Sequence, residues 1–362
     1  MTNSISFNLN CVNFGTGETV IAETGTLTAS AFRYPSGLQA VRIRNAVGEI
    51  VCLPYQGQQI ADATFHGRRL TNRTMFDEPM VASAYLGNCG GFLVHCGLTA
   101  TGNPAPGDTH PLHGEIPNMP YQQAWLVAGE DEDGPWMGIT GVARYTVAFT
   151  HNYEIRPLVK LHAGSARIAA EVEIRNLKHT PMELMYLAHV NFRPHDGGRL
   201  LDTVPDDAAS IRIRTKLPDL FKPADSHKAL LEKLKVNPAL HRDLAPAGGI
   251  DPELVMGLSF KSDPQGWAHA MQLLPDGTAD YISHKPAELP GGVRWIARNA
   301  NQDALGLFLP GTAEADGYTA EKAKGNVKII PPRGTYRFSL SFGALTKNET
   351  AAMKAEIESV RG

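Results

Sequence analysis

Cysteine is scarce: Cys11, Cys52, Cys89 and Cys96 are the four in 362 residues, and none forms a C-x-x-C pair. That spacing excludes a zinc ribbon, a dithiol redox centre and a disulfide framework, so buried free thiols are expected. Long apolar runs are also missing. No stretch approaches the ~18 residues of a spanning helix, so no membrane partner is expected. The opening residues, MTNSISFNLNCVNFG, have neither a basic nor an apolar leader region, so a reducing, cytoplasmic setting is expected. Basic charge is not in excess: 34 Lys and Arg stand against 37 Asp and Glu, for a net charge of −3. Nothing electrostatic therefore favours nucleic acid or an anionic membrane as partner. No P-loop, no G-x-G-x-x-G opening a helix and no G-x-S-x-G is present, so nucleotide dependence and a serine nucleophile have no support.

What is present reads as β structure. Short runs rich in Val, Ile, Tyr and Phe alternate with Gly, Pro, Asn and Asp clusters, the pattern of sandwiches and barrels. Strands are expected at 39–44, 136–149, 153–162, 167–176, 182–192, 208–214, 254–261, 268–274, 293–297, 304–309 and 336–342. The third and fourth form a hairpin across Ala163–Ala166, with Ile168, Ala170, Val172 and Ile174 sharing one face. Two segments break the pattern. Ser226–Leu234 reads as a short helix with Ser226 as N-cap, inside a Pro-rich excursion at 217–252. The C-terminus, 346–361, reads as a helix opened by a Thr346-x-x-Glu349 capping box, with Met353, Ile357 and Val360 on one face. With 43% hydrophobic residues and no internal repeat, one large all-β domain over 1–362 is the simplest account.

The stretch Cys96–Tyr121 carries the densest chemistry. Its centre, His110-Pro-Leu-His113-Gly-Glu115, crowds two imidazoles and a carboxylate among Gly and Pro, so these side chains stand on a constrained loop. A second concentration is Tyr186–His195, where a strand delivers His189 and Asn191 to the same face. A third is Leu305–Glu321, a buried-looking strand running into a polar turn with Glu314, Asp316 and Glu321. Each has a plainer explanation: a core histidine for His189, a solvated surface for the acidic turn. Together they supply the acid and base that open a hemiacetal, with no cofactor needed.

The ordered blocks FLVHCGLTATGNPAPGDTHPLHGEIPNMPY, EVEIRNLKHTPMELMYLAHVNFRP and LGLFLPGTAE resemble the aldose 1-epimerase-like, galactose-mutarotase-type superfamily over about residues 50–345. The nearest branch has a CGL…HG loop and an H-x-N-F strand. The resemblance implies a β-supersandwich of large antiparallel sheets with a few short helices, and a monosaccharide or sugar acid as ligand. By the same resemblance His113 and His189 are the two active-site histidines, His189 the general acid at the ring oxygen. Asn191 supports the site and His110 lines it. The family's base is a Glu before Pro at the end of a G-L-x-x-E-P strand, where this chain has Leu309 before Pro310. Glu314 becomes the expected base. Arg69 and Arg298 are candidate substrate contacts, Trp267, Trp295 and Tyr121 candidate stacking residues, and Asp251 and Glu253 lie where relatives place a substrate-binding acid. A homodimer stays open.

Two rival readings follow from the same residues. Leu309 in the base position suits a sugar-binding or sensing protein that has no catalysis. His110-x-x-His113-x-Glu115, with His189 and His195, suits a metal-dependent sugar isomerase or lyase.

Overall fold

A computed structural model describes all residues except 1–3, 208, 216, 218–220 and 245. Alternation of apolar and polar side chains builds two large antiparallel sheets among the described residues. The first has nine strands. Its centre is the expected hairpin, His151–His162 paired with Arg167–Asn176, and Thr335–Leu345 follows beside it. Ile168, Ala170, Val172 and Ile174 are all buried, as the period of two requires.

The second sheet is the larger, and five neighbouring strands of it concern function. In spatial order they are Ile250–Leu258, Gly291–Arg298, Asp303–Gly311, Met182–Val190 and Leu93–Leu98. One face of this sheet packs on the first. Tyr186 meets Phe338 with ring centroids 4.4 Å apart, and Phe92 meets Phe342 at 5.6 Å. This intersheet layer holds most of the buried aliphatic residues. At ~25 cal/mol per Å² of apolar surface removed from water, it is the main source of stability.

Among the described residues three α-helices decorate the sheets. α1 covers Asp225–Val236 within the expected excursion and buries Leu231 and Leu234. Its N-cap is Ala224, not Ser226, because the helix begins at Asp225. α2, Tyr318–Ala323, falls where the sequence suggested only a polar turn; Gly317 at φ +88° lets the chain enter it. α3, Lys347–Arg361, has the expected capping box: Thr346 accepts from the Glu349 amide while Glu349 accepts from the Thr346 amide. Ile357 is its buried anchor. The strand expected at 254–261 begins earlier, at Ile250, through a register shift between Ile250 and Leu254. The expected strand at 208–214 is Ile211–Ile213, with Ala208 outside the described residues. Cys52 and Cys96 are buried, whereas Cys11 is exposed and Cys89 half-buried. None of the helices is long and apolar enough to cross a membrane.

Candidate active site

The site grows from one consequence of strand geometry: residues two apart share a face. In the five strands named above, Leu93, Tyr186, Leu254 and Met256 point into the intersheet core. Their neighbours Val94, Cys96, Leu187, Val255, Val293 and Leu309 point outward and form a second apolar cluster, with Tyr85 and Trp295 packed on it. His189 follows Leu187, Trp295 follows Val293 and Glu253 precedes Val255 on this outer face. Together they line a cavity of about 240 Å³, which His113 and Arg214 also reach.

His189 is held in one tautomer. The Asn191 amide nitrogen donates to the Gly91 carbonyl at 2.9 Å, so its oxygen faces His189 Nδ1 at 2.5 Å. An amide oxygen only accepts, hence Nδ1 carries the ring proton and Nε2 keeps its lone pair. Nε2 makes no hydrogen bond to any described residue, and the ring lines the cavity. Burial lowers the pKa of His189 to about 4, so the ring is neutral at pH 7. Asn191→Leu is expected to release this choice; ¹⁵N NMR of the imidazole should move from a single Nδ1–H signature to a tautomer mixture.

His113 arrives from the loop. The Gly97 amide donates to the His113 carbonyl (2.9 Å) and the His113 amide to the Gly102 carbonyl (3.1 Å), which pins the loop to the end of strand Leu93–Leu98. The cost is a left-handed backbone at His113, φ +60°, followed by Gly114, where a Cβ would lie 2.3 Å from the Gly97 oxygen. The His113 ring meets His189 edge-on at 5.4 Å and Tyr85 at 4.5 Å. Burial, then the charges of His189, Arg214 and His110, hold its pKa well below the ordinary histidine value. Its Nδ1 is buried without a hydrogen-bond partner among the described residues.

Glu253 is the carboxyl of this cavity. Trp295 Nε1 donates to it at 2.7 Å, and the Trp295 ring stands 5.2 Å from His189, so one indole bridges carboxyl and imidazole. Burial pushes the Glu253 pKa up, partly offset by the Trp295 hydrogen bond and by Arg214. Arg214 itself donates to the Ala315 carbonyl at 3.0 Å and pairs with Asp316. Leu309 lies on the cavity floor. Leu187 pairs with Gly311, so antiparallel register carries Leu309, two residues along, toward His189.

With this geometry in hand, comparison with known proteins is informative. Residues 35–344 match the family described as "Domain of unknown function (DUF4432)". The chain belongs to this family. A Klebsiella pneumoniae structure, described provisionally as an aldose 1-epimerase, superposes with a TM-score of 0.83 at 18% identity, covering 99% of this chain and 96% of that one. A galactose mutarotase-like protein from Clostridium acetobutylicum gives 0.60 at 14% identity, with 88% and 98% covered. An Escherichia coli K12 protein, also described provisionally as an aldose 1-epimerase, gives 0.53 at 11%, with 91% and 99% covered. No curated protein matches the sequence. These likenesses establish the galactose mutarotase-like fold for this DUF4432 chain.

Within this DUF4432 fold the other expected site residues go elsewhere. Glu314 does not line the cavity: its carboxylate pairs with Arg212 at 2.8 Å and Lys324 at 2.9 Å. Against the upward push of burial, these cations hold its pKa below the usual range. The expected base thus stands in an ion-pair cluster beside the cavity and not among its lining residues. Lys324 Nζ also reaches Asp316 (2.7 Å) and the fully buried Glu321 (2.8 Å), so an ammonium sits among three carboxylates. Removing it leaves a buried carboxylate without its cation, so Lys324→Met is expected to cost about 1–3 kcal/mol in urea unfolding.

His110 turns away from His113 to a separate surface hollow beside Asp108 and Tyr318, where its Nδ1 lies 2.8 Å from the Pro111 carbonyl. Arg69 pairs with Asp62 at 2.8 Å on an exposed strand end. Arg298 is buried against Asp303 (2.8 Å) and Asp196 (3.0 Å). Neither lines the cavity. The metal-ligand set also disperses: Glu115 accepts from the Leu98 and Thr99 amides and from the Tyr153 hydroxyl, while the His195 amide is bound to Gln272. Groups of described residues able to hold a metal lie elsewhere and include none of His110, His113, Glu115 or His189. Sequence reading left Tyr85 and Arg214 unmarked, since a lone tyrosine in a loop and an arginine at a strand end carry no local signal.

Proposed function

We propose that this protein binds a monosaccharide in the outer cavity of its second sheet and interconverts its anomers without a cofactor. The observation that carries this is the bridged pair: neutral His189, with an unpartnered Nε2, and Glu253, whose pKa is raised, joined through Trp295. Two proton-transfer groups with shifted pKa values in one cleft mark a reactive site. Burial favours neutral His189 and the protonated form of Glu253, which reverses the roles expected from the resemblance. In that form Glu253 donates to the ring oxygen as the bond from that oxygen to the anomeric carbon breaks. His189 Nε2 takes the anomeric hydroxyl proton, and the aldehyde forms. After rotation about the adjoining carbon–carbon bond, the ring hydroxyl returns its proton to Glu253 and attacks the aldehyde carbon, while His189 reprotonates the carbonyl oxygen. Atoms and charge balance over the cycle.

His113 and Tyr85 stand beside this pair, with ring centroids 5.4 Å and 5.9 Å from His189, and the Trp295 indole offers an apolar face for the sugar's C–H groups. The test is direct. Freshly dissolved α-anomers are mixed with the protein and the approach to equilibrium is followed by NMR. Faster equilibration that disappears in Glu253→Gln and His189→Gln is the expected result. A second reading, sugar binding without catalysis, draws on Leu309 at the position of the family's base. Binding with no acceleration for any sugar would establish that reading instead.

A further inference from the structure

Resting on the proposal that the cavity takes a sugar, we infer that this sugar is a deoxy sugar, with a methyl or methylene group against the cavity floor in place of a hydroxyl. The floor beneath His189 and Trp295 is formed by Leu187, Val255, Val293 and Leu309, each at most 5% exposed. Their strands are neighbours in the sheet, with Val293 opposite Leu309, Val255 opposite Trp295, and Leu187 opposite Gly311 and Cys96. The floor they present to the cavity is aliphatic carbon. The polar lining of the cavity, His189, Glu253, His113, Arg214, Asn103 and Gln302 with Tyr85, comes from residues other than these four.

A sugar seated between His189 and Glu253 therefore lays part of its ring or its side arm on aliphatic carbon. A hydroxyl placed there loses its water and gains no partner, whereas a CH₂ or CH₃ group gains apolar contact. Discrimination by a hydrophobic pocket of this type is about tenfold to a hundredfold. Leu309 is the pivotal side chain, because it fills the place from which a carboxylate would reach the sugar.

The experiment compares matched free sugars: D-galactose with 6-deoxy-D-galactose, D-ribose with 2-deoxy-D-ribose, and D-galactose with D-galacturonate. Binding is measured by calorimetry and anomerisation by NMR, for the natural protein, Leu309→Gln and Leu309→Met. The expected result is a deoxy preference of about tenfold or more in at least one pair, kept in Leu309→Met and reduced to within about threefold in Leu309→Gln. Equal or better handling of the hydroxylated partners, or a preference for galacturonate, overturns the inference; the latter would assign Arg214 to a carboxylate. So would a deoxy preference that Leu309→Gln leaves intact. Deoxy-selective binding with no acceleration supports this inference and overturns the catalytic reading. No binding and no acceleration with any sugar overturns both.

Discussion

Glu253→Gln is expected to lower the anomerisation rate by about 10²–10⁴-fold, the range for loss of a positioned proton donor. Glu314→Gln is expected to leave it within about threefold. The two carboxyls were equivalent candidates by type, and their surroundings separate them. Glu253 faces the cavity with a single hydrogen bond from Trp295, and its burial favours the protonated form. Glu314 is paired with Arg212 and Lys324 and is not among the residues that line the cavity. The pH dependence adds a second readout. His189 keeps its lone pair down to about pH 4, so it is not the group that titrates near neutrality. Glu253 must be protonated to donate. The rate is then expected to fall as pH rises through its pKa, which burial raises from the ordinary glutamate value. That limb should be missing from whatever activity Glu253→Gln retains. A full rate in Glu253→Gln, or a large loss in Glu314→Gln, would return the role to the acidic turn.

A steep acid transition is the second large effect. Burial lowers the pKa of His95, His189 and His241 to about 4 and that of His284 to about 3. In the unfolded chain each returns to about 6.5. A depressed folded pKa contributes stability above the unfolded value, and that stability is lost as pH falls toward the folded one. Between about pH 6 and pH 4 the unfolded state holds roughly three more protons than the folded state from these groups alone. The slope is therefore about 4 kcal/mol per pH unit. A domain of ~5–15 kcal/mol cannot absorb that for long. Cooperative unfolding, followed by circular dichroism, is expected to be complete before pH 4, so the acid end of any activity profile reflects the fold and not His189. His284 stands 4.8 Å from Phe308 and 5.1 Å from Phe260, ring centre to ring centre. His284→Phe suits those neighbours and is expected to reduce the slope by about a quarter. A protein folded at pH 4 would show that these imidazoles reach water.

Legibility differed by element in ways the physics explains. The hairpin 153–176 was readable because its period of two repeats without interruption over both strands. The C-terminal helix was readable because its capping box is local: Thr346 and Glu349 meet within one turn. The start of strand Ile250–Leu258 was not, because Pro252 and a register shift break the alternation just where Glu253 stands. Glu253 was noticed only as one of two acids of uncertain alignment. The polar turn after Leu309 concealed α2, whose Lys324 gathers the carboxylates that had made Glu314 attractive.

By itself the sequence determined the all-β class, the mutarotase-like resemblance, and the presence of His113 on a strained loop and His189 beside Asn191 on one strand face. These depend on spacing along the chain, which neighbouring residues settle. Only the tertiary structure decided which carboxyl accompanies them. Glu253 and Trp295 lie on adjacent strands 42 positions apart, and Glu314 is drawn off by Arg212, 102 positions away. Charge and burial at such separations come from packing, so a carboxylate's role is set by what folds against it.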